Sequence, residues 1–282
     1  MKKQTQKFKI KHVKVAFILL ILVALVLIYF YYNILLKNFV CKNKFVDQMV
    51  EISDQNENDI FSIEKIQLHS SANAIDNSKD HSLSNLNVSQ YTDISIYINN
   101  SGSSNDLTDE NTIKKLYIDN ITITPKTDMG TQYLNYKNAN LFGKYYELTS
   151  PNDRIDFKIL NTNKENENNN YDEPVFYTDC SNPITLGYLN KDILTNYSVN
   201  DKNKTISYNG KVLKETNINL DNISSVLNFT IHIVNNLNQS FSYNMKLDIK
   251  LKDNSNSIYN GFYDYSQETT GNEYKFMSGF SN

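Results

Sequence analysis

At 282 residues, with 40% hydrophobic and 21% charged residues and a formal net charge of −3, the chain has room for a buried core. Eight glycines offer no phosphate-cradling loop, and an acidic balance argues against a nucleic-acid surface. These averages hide an uneven chain, apolar near the N-terminus and rich in Asn, Ser, Tyr and Lys elsewhere.

Six lysines (Lys2, Lys3, Lys7, Lys9, Lys11 and Lys14) precede any acidic residue, and the first acid is Asp47. Val15 to Tyr32 then holds no charge, Pro, Gly or amide. Extended to 13–36, this stretch is long enough to cross the roughly 30 Å hydrocarbon layer as a helix. From Lys37 onward the chain has 22 basic and 31 acidic residues. Positive flanks stay inside, so residues 1–12 are expected to be a cytoplasmic tail and the bulk of the chain extracytoplasmic. A cleaved signal peptide would have a shorter apolar region and a small-residue cleavage site. Here the stretch closes on Tyr29-Phe30-Tyr31-Tyr32, residues suited to a membrane interface.

Residues 37–58 contain no Gly or Pro, and Phe39, Val46, Met49 and Val50 recur near helical spacing. They predict a stalk helix continuing from the span. Period-two patterns dominate from 59 to 265. Ile94, Ile96 and Ile98 alternate with polar residues, as do Ile121 and Ile123, and Ile155, Phe157 and Ile159. The longest sets are Leu227, Phe229, Ile231 and Ile233, and Phe241, Tyr243, Met245, Leu247, Ile249 and Leu251. Such alternation predicts half-buried antiparallel strands. Asn209-Gly210 and Asn260-Gly261, each between short apolar runs, predict two type I′ hairpins. Ala72–Gln90, Asn99–Asn111 and Asn161–Asp172 read as loops, and 266–282 as a polar C-terminal tail. The fold class expected is mainly β: one transmembrane helix, a short stalk helix, then an antiparallel β-sandwich-like extracytoplasmic domain. The 43 asparagines, with a single arginine and no Trp, match the codon bias of AT-rich bacterial genomes.

Residue types that carry chemistry are sparse. His12, His69, His81 and His232 form no H-E-x-x-H or Cys/His cluster, which removes the common zinc hydrolases. Cys41 and Cys180 permit one disulfide, but Cys41 adjoins the expected membrane edge and Cys180 lies deep in the folded part, so two free thiols are expected. Asp201–Thr205 and Asp253–Ser257 partly resemble calcium loops, yet lack the glycine and distal glutamate of an EF-hand. Sequons such as Asn120-Ile121-Thr122 and Asn228-Phe229-Thr230 are expected by chance in so Asn-rich a chain.

A membrane-anchored β domain with a cysteine resembles the sortases in outline only, because Arg154 precedes Cys180 where that family places Arg after Cys. The pilin glutamate is absent too, since Ile21 stands four residues after Phe17. No catalytic, cofactor-binding or metal-binding residue is assigned. The remaining candidates for recognition are tyrosines near loops: Tyr145-Tyr146, and Tyr259, Tyr263 and Tyr265 with Phe262. The expected function is a non-enzymatic binding, adhesion or assembly module anchored in the lipid bilayer, with a protein or cell-wall partner and no nucleic acid. The alternatives are a cell-envelope enzyme using carboxylates without a recognisable motif, and a subunit of a membrane complex. A binding module should present a shallow face or sheet edge; an enzyme should show converging Asp or Glu in a deep pocket.

Overall fold

A computed structural model describes residues 2–31, 57–100, 111–148, 153–160, 173–178, 183–199, 210–254, 257–269 and 274–279. The chain divides into two units, Met1–Asn56 and Glu57–Asn282.

In the first unit, helix α1 spans Lys2–Phe30, beginning well before the expected span because no Pro or Gly interrupts the basic segment. Among the described residues no helix is long and apolar enough to cross a membrane. The uncharged part of α1, Val15 to Phe30, covers about 24 Å at 1.5 Å per residue, short of a bilayer core. The rest of the expected 13–36 span, beyond Tyr31, lies outside the described residues, as does the stalk helix up to Asn56. Glu57 and Asn58, assigned to that stalk, instead open the first strand.

The second unit is mainly β. Its strands are β1 (Glu57–Asp76), β2 (Leu86–Asn100), β3 (Ile113–Pro125), β4 (Thr131–Tyr136), β5 (Arg154–Leu160), β6 (Val175–Tyr177), β7 (Pro183–Tyr197), β8 (Ser225–Asn235), β9 (Ser240–Ile249), β10 (Phe262–Glu268) and β11 (Lys275–Gly279). One short helix, α2 (Lys211–Glu215), lies between β7 and β8. The strands form one hydrogen-bonded path, β4-β7-β2-β1-β11-β9-β8-β3-β5-β6, with β10 added to β1. Only β5 and β6 pair in parallel among these ladders.

An antiparallel β-sandwich-like domain was expected; the strands form a curled sheet. Strands remote in that order meet across the interior. Tyr136 of β4 lies edge-on to Phe157 of β5 with ring centroids 6.0 Å apart, and the Tyr188 hydroxyl of β7 lies 2.6 Å from the Ser225 hydroxyl of β8. Extra residues supply the bending. The register slips at Asp119/Thr122 of β3 and at two places between β2 and β7. Asn120, Asp192 and Asn196 hold positive φ of 53°, 58° and 55° at those slips, a conformation that Asn and Asp tolerate best after Gly.

The pairing of β8 with β9 follows the expected register: Leu227 faces Leu247, Phe229 faces Met245, and Ile231 faces Tyr243. Leu227, Phe229, Ile231, Ile233, Phe241, Met245, Leu247 and Ile249 are all buried, whereas Tyr243 is half-buried. Other expectations need correction. Ala72–Gln90 is mostly strand, because Ala72, Ala74, Leu86 and Val88 alternate into the core through small side chains. The expected tail 266–282 carries β11 and the end of β10.

Gly210, whose φ of −51° is not that of a type I′ turn, and the Asn260-Gly261 pair do not make the expected hairpins; Asn209 lies outside the described residues. Gly210 caps α2, and Asn260 ends a 3-10 turn (Ile258–Asn260) before β10. A Cβ on Gly210 would sit 1.6 Å from the carbonyl oxygen of Ile258, so the glycine serves a close backbone approach between these two segments.

Candidate functional site

The curl leaves a seam. Strand β11 bridges the sheet at one end, pairing with β1 at Glu57 and Ser62 and with β9 at Ser240, Phe241 and Ser242. Farther along, β10 pairs with Lys65–Ser71 of β1 and makes no ladder with β9. From Asn244 to Ile249, β9 therefore has a partner strand on the β8 side only, among the described residues.

A cleft of about 420 Å³ opens between β9 and β10. Its floor is apolar, from Ile66 and Leu68 of β1 and Met245 and Leu247 of β9; Lys246, Lys250 and Lys252 stand along its β9 margin. The opposite wall is tyrosine-rich. Tyr263 and Tyr265 project inward from β10 by the parity that pairs them with Ser70 and Leu68. Tyr265 donates to the Gln267 amide oxygen at 3.1 Å, and the Gln267 amide nitrogen donates to the Tyr274 hydroxyl at 2.5 Å. Tyr274 stacks on Tyr243 with centroids 6.4 Å apart. Burial, then Tyr265, pushes the Tyr263 phenol above its ordinary range, so it stays a neutral hydrogen-bonding group at pH 7.

The margin carries the unusual charge. Residues 57–282 contain 19 Lys and Arg against 28 Asp and Glu, yet the cleft is lined by three lysines and one carboxylate. That carboxylate, Asp248, pairs with Lys250 at 2.9 Å, and this hydrogen bond raises the Lys250 pKa. Lys246 and Lys252 stand beside the apolar floor. Among the described lining residues there is one carboxylate, already paired, and no histidine.

A second polar cluster lies on the outer face, where Asp264, His69, Asp93, Gly187 and Asn135 stand in one row across β10, β1, β2, β7 and β4. Lys137, just past β4, reaches back over β7 to Asp93, with Nζ donating to Oδ1 at 2.5 Å and to the Lys144 carbonyl at 2.8 Å. Gly143 N–H donates to the other Asp93 oxygen at 2.6 Å. Gly187 makes this crossing possible, because a Cβ there would lie 3.1 Å from the Lys137 stem. Both charged side chains are at least 97% buried. Burial holds the Lys137 pKa below the usual lysine range, against the opposing pull of Asp93. All these partners are internal, and the pair ties the segment from Lys137 to Leu148 down on β2 and β7. This is a structural role.

The histidines stay apart. His69 bonds Asp264 and lies against Phe262, while His232 bonds Asp119 at 2.8 Å and stacks on Tyr117 at 4.5 Å. Arg154 covers the other reaches of that ring, 3.7 Å from the Tyr117 centroid, and is held by Asp156. Tyr145 packs edge-on against Tyr91 rather than forming a surface patch. Tyr259 bonds the Ile218 carbonyl and is buried. Cys41, Cys180 and the Asp201–Thr205 loop lie outside the described residues; of the other calcium-like loop, Asp253, Asn254 and Ser257 are described. Among the described residues no three His, Cys, Asp or Glu side chains converge as a metal site.

Of the tyrosines singled out in the sequence, Tyr263 and Tyr265 reach the seam. The lysines of its margin were missed, since Lys246 and Lys250 occupy ordinary wet-face positions of an alternating strand. No protein-family model, curated protein or solved structure matches the chain.

Proposed function

We propose that the chain is a membrane-anchored extracytoplasmic binding, adhesion or assembly module whose contact surface is the β9–β10 seam. The observation that carries this reading is the seam itself: an apolar floor, a tyrosine wall and a lysine margin, with one paired carboxylate among the described lining residues. Such a surface suits recognition of a partner better than turnover of a substrate.

The anchor is part of the same proposal. Fourteen large apolar and aromatic side chains of α1, from Val15 to Phe30, are 44–68% exposed, which suits a lipid environment. The six preceding lysines orient its N-terminus inward. A two-sheet sandwich remains the nearest regular architecture to the curled sheet.

The test uses cells making the full chain, with a photo-crosslinking residue at Tyr265 in the seam or at Leu237, an exposed position in the β8–β9 turn. Protease added to intact cells should remove the β unit, and Tyr265 should give a discrete adduct that Leu237 does not. Protection of the β unit would reverse the topology. Equal adducts at both positions, or none, would remove the seam as the contact surface.

A further inference from the structure

We propose that the seam receives an extended acidic peptide, which adds to the free edge of β9 as a strand. The inference rests on the binding-module reading and specifies the occupant. Three features of the seam select it.

The first is the main chain. From Met245 to Ile249, β9 is bonded to β8 on one side and meets no strand on the other among the described residues, so alternate N–H and C=O groups point at the cleft. Main-chain groups of this kind are the recognition element in strand addition, where an extended peptide supplies the missing ladder. Direction follows from the existing topology. Strand β11 already runs antiparallel to β9 at Ser240–Ser242, and a peptide continuing that line would run antiparallel to β9 as well.

The second feature is parity. Met245 and Leu247 point to the floor and Lys246 to the outer face, because the side chains of β9 alternate. A peptide strand laid beside β9 presents its own side chains with the same alternation. One set meets the apolar floor and Tyr263 and Tyr265; the other meets the lysine margin. The cleft volume, about 420 Å³, lies within the range that seats small apolar groups.

The third is charge. Among the described residues Lys246 and Lys252 form no ion pair, and Lys250 is shared with Asp248, so the outward set of the peptide should be acidic. The basic margin also disfavours a symmetric contact with the same margin of a second copy, by like charge.

The test titrates the full-length chain, in detergent micelles, with an acetylated and amidated decapeptide of alternating Glu and Val. Its Lys-Val counterpart and two backbone-methylated forms, one N-methylated at every Glu and one at every Val, serve as comparisons. Binding is read by fluorescence polarisation, and amide hydrogen exchange is followed at Met245–Ile249. The Glu-Val peptide should bind and slow exchange at those amides, the Lys-Val peptide should not bind, and only one methylated form should fail. Lys246→Glu with Lys252→Glu should weaken binding about tenfold at low salt. Binding unaffected by either methylation would overturn strand addition while leaving a recognition site in place. No binding of the Glu-Val peptide, beside a discrete Tyr265 adduct in cells, would overturn the acidic-strand occupant alone. Slow exchange in the free protein at those of the Met245–Ile249 amides that point at the cleft would show that the chain itself fills the edge, and would overturn the proposal.

Discussion

Tyr188 is a large polar side chain placed wholly inside the curl, and its hydroxyl is satisfied by Ser225 at 2.6 Å. Burial pushes its pKa up to about 12 from an ordinary 10.0. Between those values the unfolded chain has released the phenolic proton and the folded chain has not, so the unfolded state binds fewer protons and stability falls as pH rises. A two-unit difference corresponds to roughly 2–3 kcal/mol at most. Tyr188→Phe should therefore flatten the loss of stability between pH 10 and pH 12, measured as denaturation midpoints across that range. At pH 7 the same variant should lose about 1 kcal/mol, from the Ser225 hydroxyl left without its partner. An unchanged alkaline slope would show that other groups carry it. The burial of Tyr188 is weakly legible in the sequence: Ile184, Leu186 and Tyr188 alternate, but a tyrosine at the end of such a run reads equally well as an interfacial residue. Lys137 and Asp93 were not legible, because residues 44 apart join only through the crossing over Gly187.

At the scale of elements, β8 and β9 are the part that alternation described best, since long apolar side chains occupy every second position on both strands. Phe229→Ala and Leu247→Ala should each cost about 2–5 kcal/mol, combining lost burial with the cavity left behind. Asp248→Ala, on the wet face, should fall within about 0.5 kcal/mol. His232→Ala belongs between them, near 1 kcal/mol, because the ring is stacked on Tyr117 and bonded to Asp119. A denaturation series ordered otherwise would contradict the burial described here. Elements built from less distinctive residues were harder to read. The ends of β1 and β2 bury Ala72, Ala74 and Ser89, small residues that also fill loops. Gly210 misled for a different reason: Asn-Gly favours a turn locally, but the glycine is used for contact with Ile258, which lies 48 residues on.

For the whole molecule, the decisive strand is the shortest of the C-terminal set. Phe276 in β11 is fully buried, with ring centroids 6.3 Å from Phe61 and 5.7 Å from Tyr243, so it joins the first strand to the ninth. Phe276→Ala should cost about 3–5 kcal/mol, and Met277→Ala, 55% exposed, less than about 1 kcal/mol, in chemical denaturation of the full chain. Comparable effects would mean that β11 is dispensable. Its five residues hold one buried aromatic, too little alternation to stand out from a polar tail, which is why composition alone placed the end of the domain too early. The order of strands also sets a timetable. β1 is made long before β11, yet β11 joins β1 to β9, so this junction of the sheet cannot close until residues 275–279 have been made.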